Sequence, residues 1–348
     1  MNFRELKIGD LTARIPLIQG GMGVGVSLSN LAAAVANEGG IGIISGVQIG
    51  FREPDFSTNP VEANLRAIRS EIRKAREKSK GIIGMNLMAA MNNYELYVKE
   101  AVKEKIDLII SGAGLPLALP KLVKDSTTKI APIVSSAKAA KIIINSWLKH
   151  DKLPDAVVVE GPLAGGHLGF KQEELIEDKC KSLKELTIEV KALIKTYEDE
   201  YNANIPVISA GGIRTREDIE ELLSAGADGV QLASIFVPTV ECDAHDNFKQ
   251  SYINATDDDV LIIKSPVGMP ARAVKTNFLT TSLNEGCTPI KKCYQCMPRC
   301  DRNNIPYCIS VGLINSVQGK DGLIFSGANL EGINKMTTVK DVINSLFG

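Results

Sequence analysis

The chain has 348 residues, of which 44% are hydrophobic and 23% charged, and its 40 basic and 41 acidic side chains leave a net charge of −1. With a mean hydropathy of +0.02 and a pI near 6.4 this is the balance of a soluble globular protein with a large core, which excludes disorder and any field that would gather nucleic acid or anionic lipid. No run of about 18 apolar residues occurs and residues 1–20 carry no apolar stretch behind a basic start, so neither a membrane span nor a signal peptide is expected and the cytoplasm is the default location.

The length allows two or three ordinary domains or one large barrel with additions. Short β-rich runs predict strands at residues 15–19, 41–45, 82–86, 108–111, 130–134, 156–160, 206–209 and 229–231. Between them helical periodicity covers 30–38, 62–78, 93–105, a weaker segment near 117–123, 137–149, 182–201 and 215–225. Thr215 ahead of Glu217 and Asp218 is a capped helix start, and Ala225-Gly226-Ala227 is a stop. Eight strand–helix units in about 250 residues predict an α/β fold of the closed (β/α)8 TIM-barrel type, with its chemistry on the loops that follow the strands. An open doubly wound sheet is the rival, but Gly21-Met22-Gly23-Val24-Gly25 has Val26 where a dinucleotide fingerprint needs its third glycine. The second strand also ends in Ile44-Ser45-Gly46, without an acid for a ribose hydroxyl. Past residue 256 the rhythm turns irregular, with 339–347 as a terminal helix, so 1–256 is expected to be the barrel and 257–348 an extension or lid packed on it. Residues 161–181 form a long loop after strand six, and long loops in compact domains are commonly functional.

Glycine or small polar residues follow most of the strands, which lets a flat ligand approach the backbone. Barrels often bind phosphate between the loops after strands seven and eight, where Ala210-Gly211-Gly212 and Gln231-Leu232-Ala233-Ser234 offer unhindered N–H groups and a hydroxyl. A phosphate is therefore expected there. Of the three histidines, His150 reads as a solvated loop residue and His245 as helix-start polarity rather than a metal ligand. His167, flanked by Gly165-Gly166 and Leu168-Gly169 above strand six, is the natural general base or hydrogen-bond donor. Seven cysteines are too odd a set for a disulfide framework, and five of them cluster as Cys287-x5-Cys293-x2-Cys296-x3-Cys300-x7-Cys308. Three of these thiols, completed by Cys287 or Cys308, have the count for a zinc ion or an iron–sulfur cluster, although neither spacing is standard. The alternative is reduced or partly bridged cysteine in a compact lid.

The segment Val159-Glu160-Gly161-Pro162-Leu163-Ala164-Gly165-Gly166-His167-Leu168-Gly169 resembles the signature of the nitronate monooxygenase family, formerly called 2-nitropropane dioxygenases. The FMN-dependent enoyl-acyl carrier protein reductases belong to the same superfamily. Gln19-Gly20-Gly21-Met22-Gly23, Gly84-Met85-Asn86-Leu87, Ile208-Ser209-Ala210-Gly211-Gly212-Ile213 and Gly226-Ala227-Asp228-Gly229-Val230-Gln231-Leu232-Ala233-Ser234 match in the same order, over residues 10–240. The resemblance implies an FMN-binding barrel. It places Gly21 and Met22 at the flavin ring, Asn86 at the pyrimidine edge and Lys138 near the phosphoribityl chain. Gly211, Gly212, Ala233 and Ser234 fall at the phosphate, with Gly166, Ala210 and Gln231 also among the cofactor contacts. The family's active-site histidine corresponds to His167. One departure is Leu163, where many members carry a carboxylate, so a cation or substrate role of that acid is not implied here.

On this reading the chain oxidises an alkyl nitronate with dioxygen, giving a carbonyl compound and nitrite, while His167 orients the nitro oxygens or takes an α-proton from a neutral nitroalkane. The alternative within the superfamily is reduction of an enoyl thioester at the expense of NAD(P)H. A non-redox barrel that binds a phosphorylated ligand is the alternative from another class. All three imply small-molecule partners, with neither nucleic acid nor membrane, and a homo-oligomer is compatible with each.

Overall fold

The computed structural model describes residues 3–286, 290, 292–298 and 300–348. Eight parallel strands build the centre: β1 (Leu17–Gln19), β2 (Gly42–Ser45), β3 (Ile83–Met88), β4 (Leu108–Gly112), β5 (Lys129–Val134), β6 (Val157–Glu160), β7 (Val207–Ala210) and β8 (Gly229–Leu232). Each pairs with its neighbour in chain order, and β8 pairs with β1. Ile41, just ahead of β2, accepts from the Gln19 N–H and donates to Leu17 O, both at 2.9 Å, and so joins β1 to β2. The (β/α)8 barrel is therefore the observed fold, and the doubly wound sheet is excluded.

Period-two alternation explains why these runs are strands. Leu108, Ile110, Ala131, Val158 and Ile208 point into the barrel, while Ile109, Ile130, Val157, Val159 and Val207 point out under the helices. Leu6 and Ile8, from an N-terminal hairpin of Leu6–Ile8 and Leu11–Ala13, join the interior cluster and close the mouth at the strands' N-terminal ends. The helices follow the predicted order: α1 (Ser29–Asn37), α2 (Pro60–Lys78), α3 (Tyr94–Lys103), α4 (Leu119–Val123) and α5 (Ala137–Leu148) cover the first five strands. A short α6 (Gln172–Ile176) lies in the long loop after β6, before α7 (Leu183–Tyr201) and α8 (Arg216–Ser224). Thr215 and Asp218 form the expected capping box at α8. Helix α1 lacks a side-chain cap of its own and takes one from far along the chain, because Asp243 accepts from the N–H groups of Leu28, Asn30 and Leu31. No described helix is long and apolar enough to cross a membrane.

The region after residue 256 is more regular than its sequence suggests. Strands β9 (Val260–Lys264) and β10 (Pro270–Val274) make a hairpin, and β11 (Ile324–Phe325) pairs with β10 on its other edge. That edge also carries a two-residue strand from the barrel loop, Gly166–His167, in register with Arg272 and Ala271. Helices α9 (Asp246–Asn254), α10 (Asn277–Glu285) and α11 (Ile309–Val317) surround this small sheet, and its core includes Val24, Val26 and Phe51 from barrel loops. The last helix, α12 (Val339–Phe347), returns to the barrel and packs Val342, Ile343 and Leu346 with Leu31, Val35 and Leu222.

Candidate active site

The strands' C-terminal ends open into a cavity of 270 Å³, roofed by residues of the lid. The walls follow from register. Ser45 lies beside Asn86, and Glu160, Ala210 and Gln231 form a row across β6, β7 and β8. The loop after β1 is held by its own polar side chains: Gln19 accepts from Ile43 N–H and donates to Gly20 O, Ser27 accepts from Met22 N–H, and Ser45 donates to Gly23 O. A Cβ on Gly21 would fall 2.5 Å from Cβ of Asn86, so this approach of the first loop to β3 requires glycine.

After β7 the chain passes through Gly211 and Gly212 with φ of 99° and 81°, a left-handed path on which side chains are strained. Cβ atoms there would meet Ala164 and Leu163 at 2.8 Å. The backbone N–H groups of these two glycines have no protein acceptor among the described residues. Ser234 opens a single 3-10 turn, Ser234–Phe236, on the neighbouring strand end, and its hydroxyl accepts from Gly327 N–H. Arg214 lies on the same side, with a buried Nε that has no partner among the described residues and a guanidinium that donates to Asn329 O. Unused N–H donors, an orphaned guanidinium nitrogen and a cradle that any Cβ would fill have the donor set for a phosphate.

His167 lines the same cavity. Its backbone is clamped into the lid sheet opposite Ala271, its Nε2 is hydrogen-bonded to Ser265 Oγ at 2.8 Å, and its ring meets Phe325 edge-on at 5.1 Å. Burial without a carboxylate partner pushes the imidazole pKa down to about 4, so the ring is neutral at physiological pH. The loop that presents it is pinned by Arg272, a buried residue whose Nη1 donates to Pro162 O and Ala164 O, each at 2.6 Å. Glu160 also borders the cavity, and burial raises its carboxyl to about 8.

The fold brings His167, Gly21, Met22, Asn86, Gly166, Ala210, Gly211, Gly212, Gln231, Ala233 and Ser234 around this one cavity. Lys138 does not reach it: the residue is exposed on the first turn of α5, where Ser136 caps the helix. His245 caps α9 through Nδ1. Cys296 borders the cavity, Cys293 is exposed, and Cys300 and Cys308 are half-buried; Cys287 lies outside the described residues. Among the described residues no three His, Cys, Asp or Glu side chains gather as a metal site, so the zinc or iron–sulfur expectation is not supported. Sequence reasoning gave no role to Ser265, Arg272 or Arg214. The first two lie about 100 residues beyond His167, and only the antiparallel pairing with β10 brings them to it.

The family profile described as Nitronate monooxygenase matches residues 4–348. Among curated relatives, a probable nitronate monooxygenase of Bacillus subtilis is 24% identical, over 95% of this chain and 94% of that protein. A (3aS,4S,5R,7aS)-5-hydroxy-7a-methyl-1-oxo-octahydro-1H-indene-4-carboxyl-CoA dehydrogenase of Rhodococcus jostii is 24% identical over 78% of this chain, which spans only 65% of that protein's length. Of solved structures, FabK from Thermotoga maritima superposes with a TM-score of 0.72 at 25% identity, over 95% of this chain and 91% of that one. A nitroalkane oxidase from Streptomyces ansochromogenes gives a TM-score of 0.72 at 18% identity, over 96% and 95%. A barrel matched by one profile over nearly its whole length, with the signature histidine at the mouth, belongs to the nitronate monooxygenase family of oxidoreductases.

Proposed function

We propose that the chain is an FMN-dependent oxidoreductase that oxidises alkyl nitronates with dioxygen to a carbonyl compound and nitrite. The observation that carries this reading is the pairing, in one cavity, of a double-glycine anion cradle with a neutral, clamped imidazole. Gly211, Gly212, Ala233 and Ser234 would hold the cofactor's phosphate, and Gly21, Met22, Asn86 and Gln231 would border its ring system. Bound FMN would supply the electron acceptor and the site of reaction with dioxygen. His167 orients the substrate's nitro oxygens through a ring N–H, a role suited to an imidazole that stays uncharged. A base whose conjugate acid ionises near pH 4 is poorly matched to taking an α-proton at neutral pH, so the nitronate is the better substrate than the neutral nitroalkane. Met22, Val267, Leu313 and Phe325 line the same space and limit the entry of water.

The test is an absorbance spectrum followed by anaerobic titration with a nitronate and, separately, with NADPH. A yellow protein bleached by nitronate and not by NADPH supports the reading. Bleaching by NADPH with reoxidation by crotonyl thioester would replace it with enoyl reduction, which the likeness to FabK and the Glu160-Gly161 pair favour as the second reading. A colourless protein that cannot take up FMN would leave a phosphate-ligand-binding barrel.

A further inference from the structure

Glu160 ends β6 half-buried, with its side chain on the cavity wall. Neither an ion pair nor a hydrogen bond reaches that carboxyl among the described residues. Its neighbours in the sheet are apolar: Ala210 stands beside it on β7, and Val134 pairs with the preceding Val159 on β5. The other ionisable groups around the cavity come from separate elements, His167 from the loop after β6, Arg214 from the loop after β7, Tyr97 from α3, Tyr252 from α9 and Cys296 from the lid. Burial keeps His167, both tyrosines and the thiol uncharged, and Arg214 is turned to Asn329 O with Asp218, Asp257 and Glu331 around it.

A carboxylate in such a place has no cation to balance it, so the protonated form is the stable one. Once a ligand fills the cavity and covers this carboxyl, it loses its water and needs a hydrogen-bond partner on that ligand. We propose that Glu160 serves the site as a neutral carboxylic acid that gives its proton in a hydrogen bond to an acceptor oxygen or nitrogen of the bound ligand. Its ionisation would present only acceptors to that atom and weaken binding. The protonation of Glu160 is proposed from its unpaired place on an apolar stretch of the cavity wall; whether the acceptor sits on the cofactor or on the substrate rests on the flavin reading above.

Infrared spectra of the purified protein, with and without ¹³C-glutamate, test the first part at pH 7. A protonated carboxyl band that moves with the label and is missing from Glu160→Gln is the expected result; its absence from the wild type overturns the proposal. The second part is read by titrating flavin-stripped protein with FMN, and loaded protein with nitronate, from pH 6 to 10. For the wild type, one of these affinities should be level up to about pH 8 and then fall towards tenfold per pH unit, while Glu160→Gln, which keeps a donor and cannot ionise, stays level. A fall in FMN affinity assigns the acceptor to the cofactor, and a fall confined to nitronate assigns it to the substrate. Identical pH dependence in wild type and variant overturns the donor role. Should Glu160→Gln not fold, the labelled band and the wild-type titrations decide. A protein that shows the band and takes up no FMN defeats the flavin reading alone.

Discussion

Replacing His167 by asparagine should flatten the acid side of the stability curve. The unfolded imidazole takes up its proton near the ordinary value of 6.5, whereas the folded one waits until about 4. Between those values the unfolded chain holds more protons than the native one, so the wild type loses stability as pH falls through this window. At about 1.4 kcal/mol per pH unit, the loss attributable to this one side chain reaches about 3 kcal/mol by pH 4, a sizeable part of the 5–15 kcal/mol typical of a folded protein. Urea unfolding at pH 7, 6 and 5, without added FMN, provides the measurement. Trp147, the single tryptophan, is fully buried with its indole N–H donating to Pro116 O, and reports barrel unfolding by fluorescence. Carboxylates titrate in both proteins and cancel in the difference, which should shrink by more than 1 kcal/mol between pH 7 and pH 5. Parallel curves for wild type and variant over that interval would refute the claim that the ring is held neutral by the fold.

Arg272→Ala leaves the Pro162 and Ala164 carbonyls without their donor and should destabilise the protein by about 2–4 kcal/mol, with a fall in kcat and little change in flavin content. Arg272→Lys, which can reach one carbonyl but not both in the same geometry, should fall between the two by urea unfolding and steady-state assay. Gly212→Ala adds a Cβ at φ 81° against Leu163 and should weaken FMN binding at least about tenfold by fluorescence titration, since strain of about 1–3 kcal/mol displaces the anion cradle. Asp243→Ala removes the cap of α1 from across the molecule and should lower stability by about 1–2 kcal/mol in thermal melts, while Asp243→Asn, which keeps an acceptor oxygen, costs less.

The barrel was legible because its signal is local and repeated. Val157 and Val159 face out and Val158 faces in, and an alternation of this kind marks a strand whatever lies around it. The mouth was legible for a related reason: a glycine such as Gly211 or Gly21 marks a place where backbone comes close to something, and such places recur at the ends of the strands. Lys138 is the exception among the carried-over positions, since it stands exposed on the first turn of α5 and does not line the cavity. The lid was not legible because β11 is two residues long and β10 draws partners from residues 166–167, 260–264 and 324–325, pairings between distant segments that leave no periodic trace. Ser265 and Arg272 act through those pairings and were missed with them.

The imidazole at the mouth sits in a strand of two residues whose ladder partner, among the described residues, belongs to the cap. The cap and the loop that carries His167 are therefore one unit for exchange between proteins. A chimera that grafts the segment after residue 256 from a relative must also bring residues 161–169, because a one-residue slip along β10 would turn the ring to the opposite face of the sheet. New substrate range is thus open to point changes inside the cap, while wholesale replacement of the cap would silence the site.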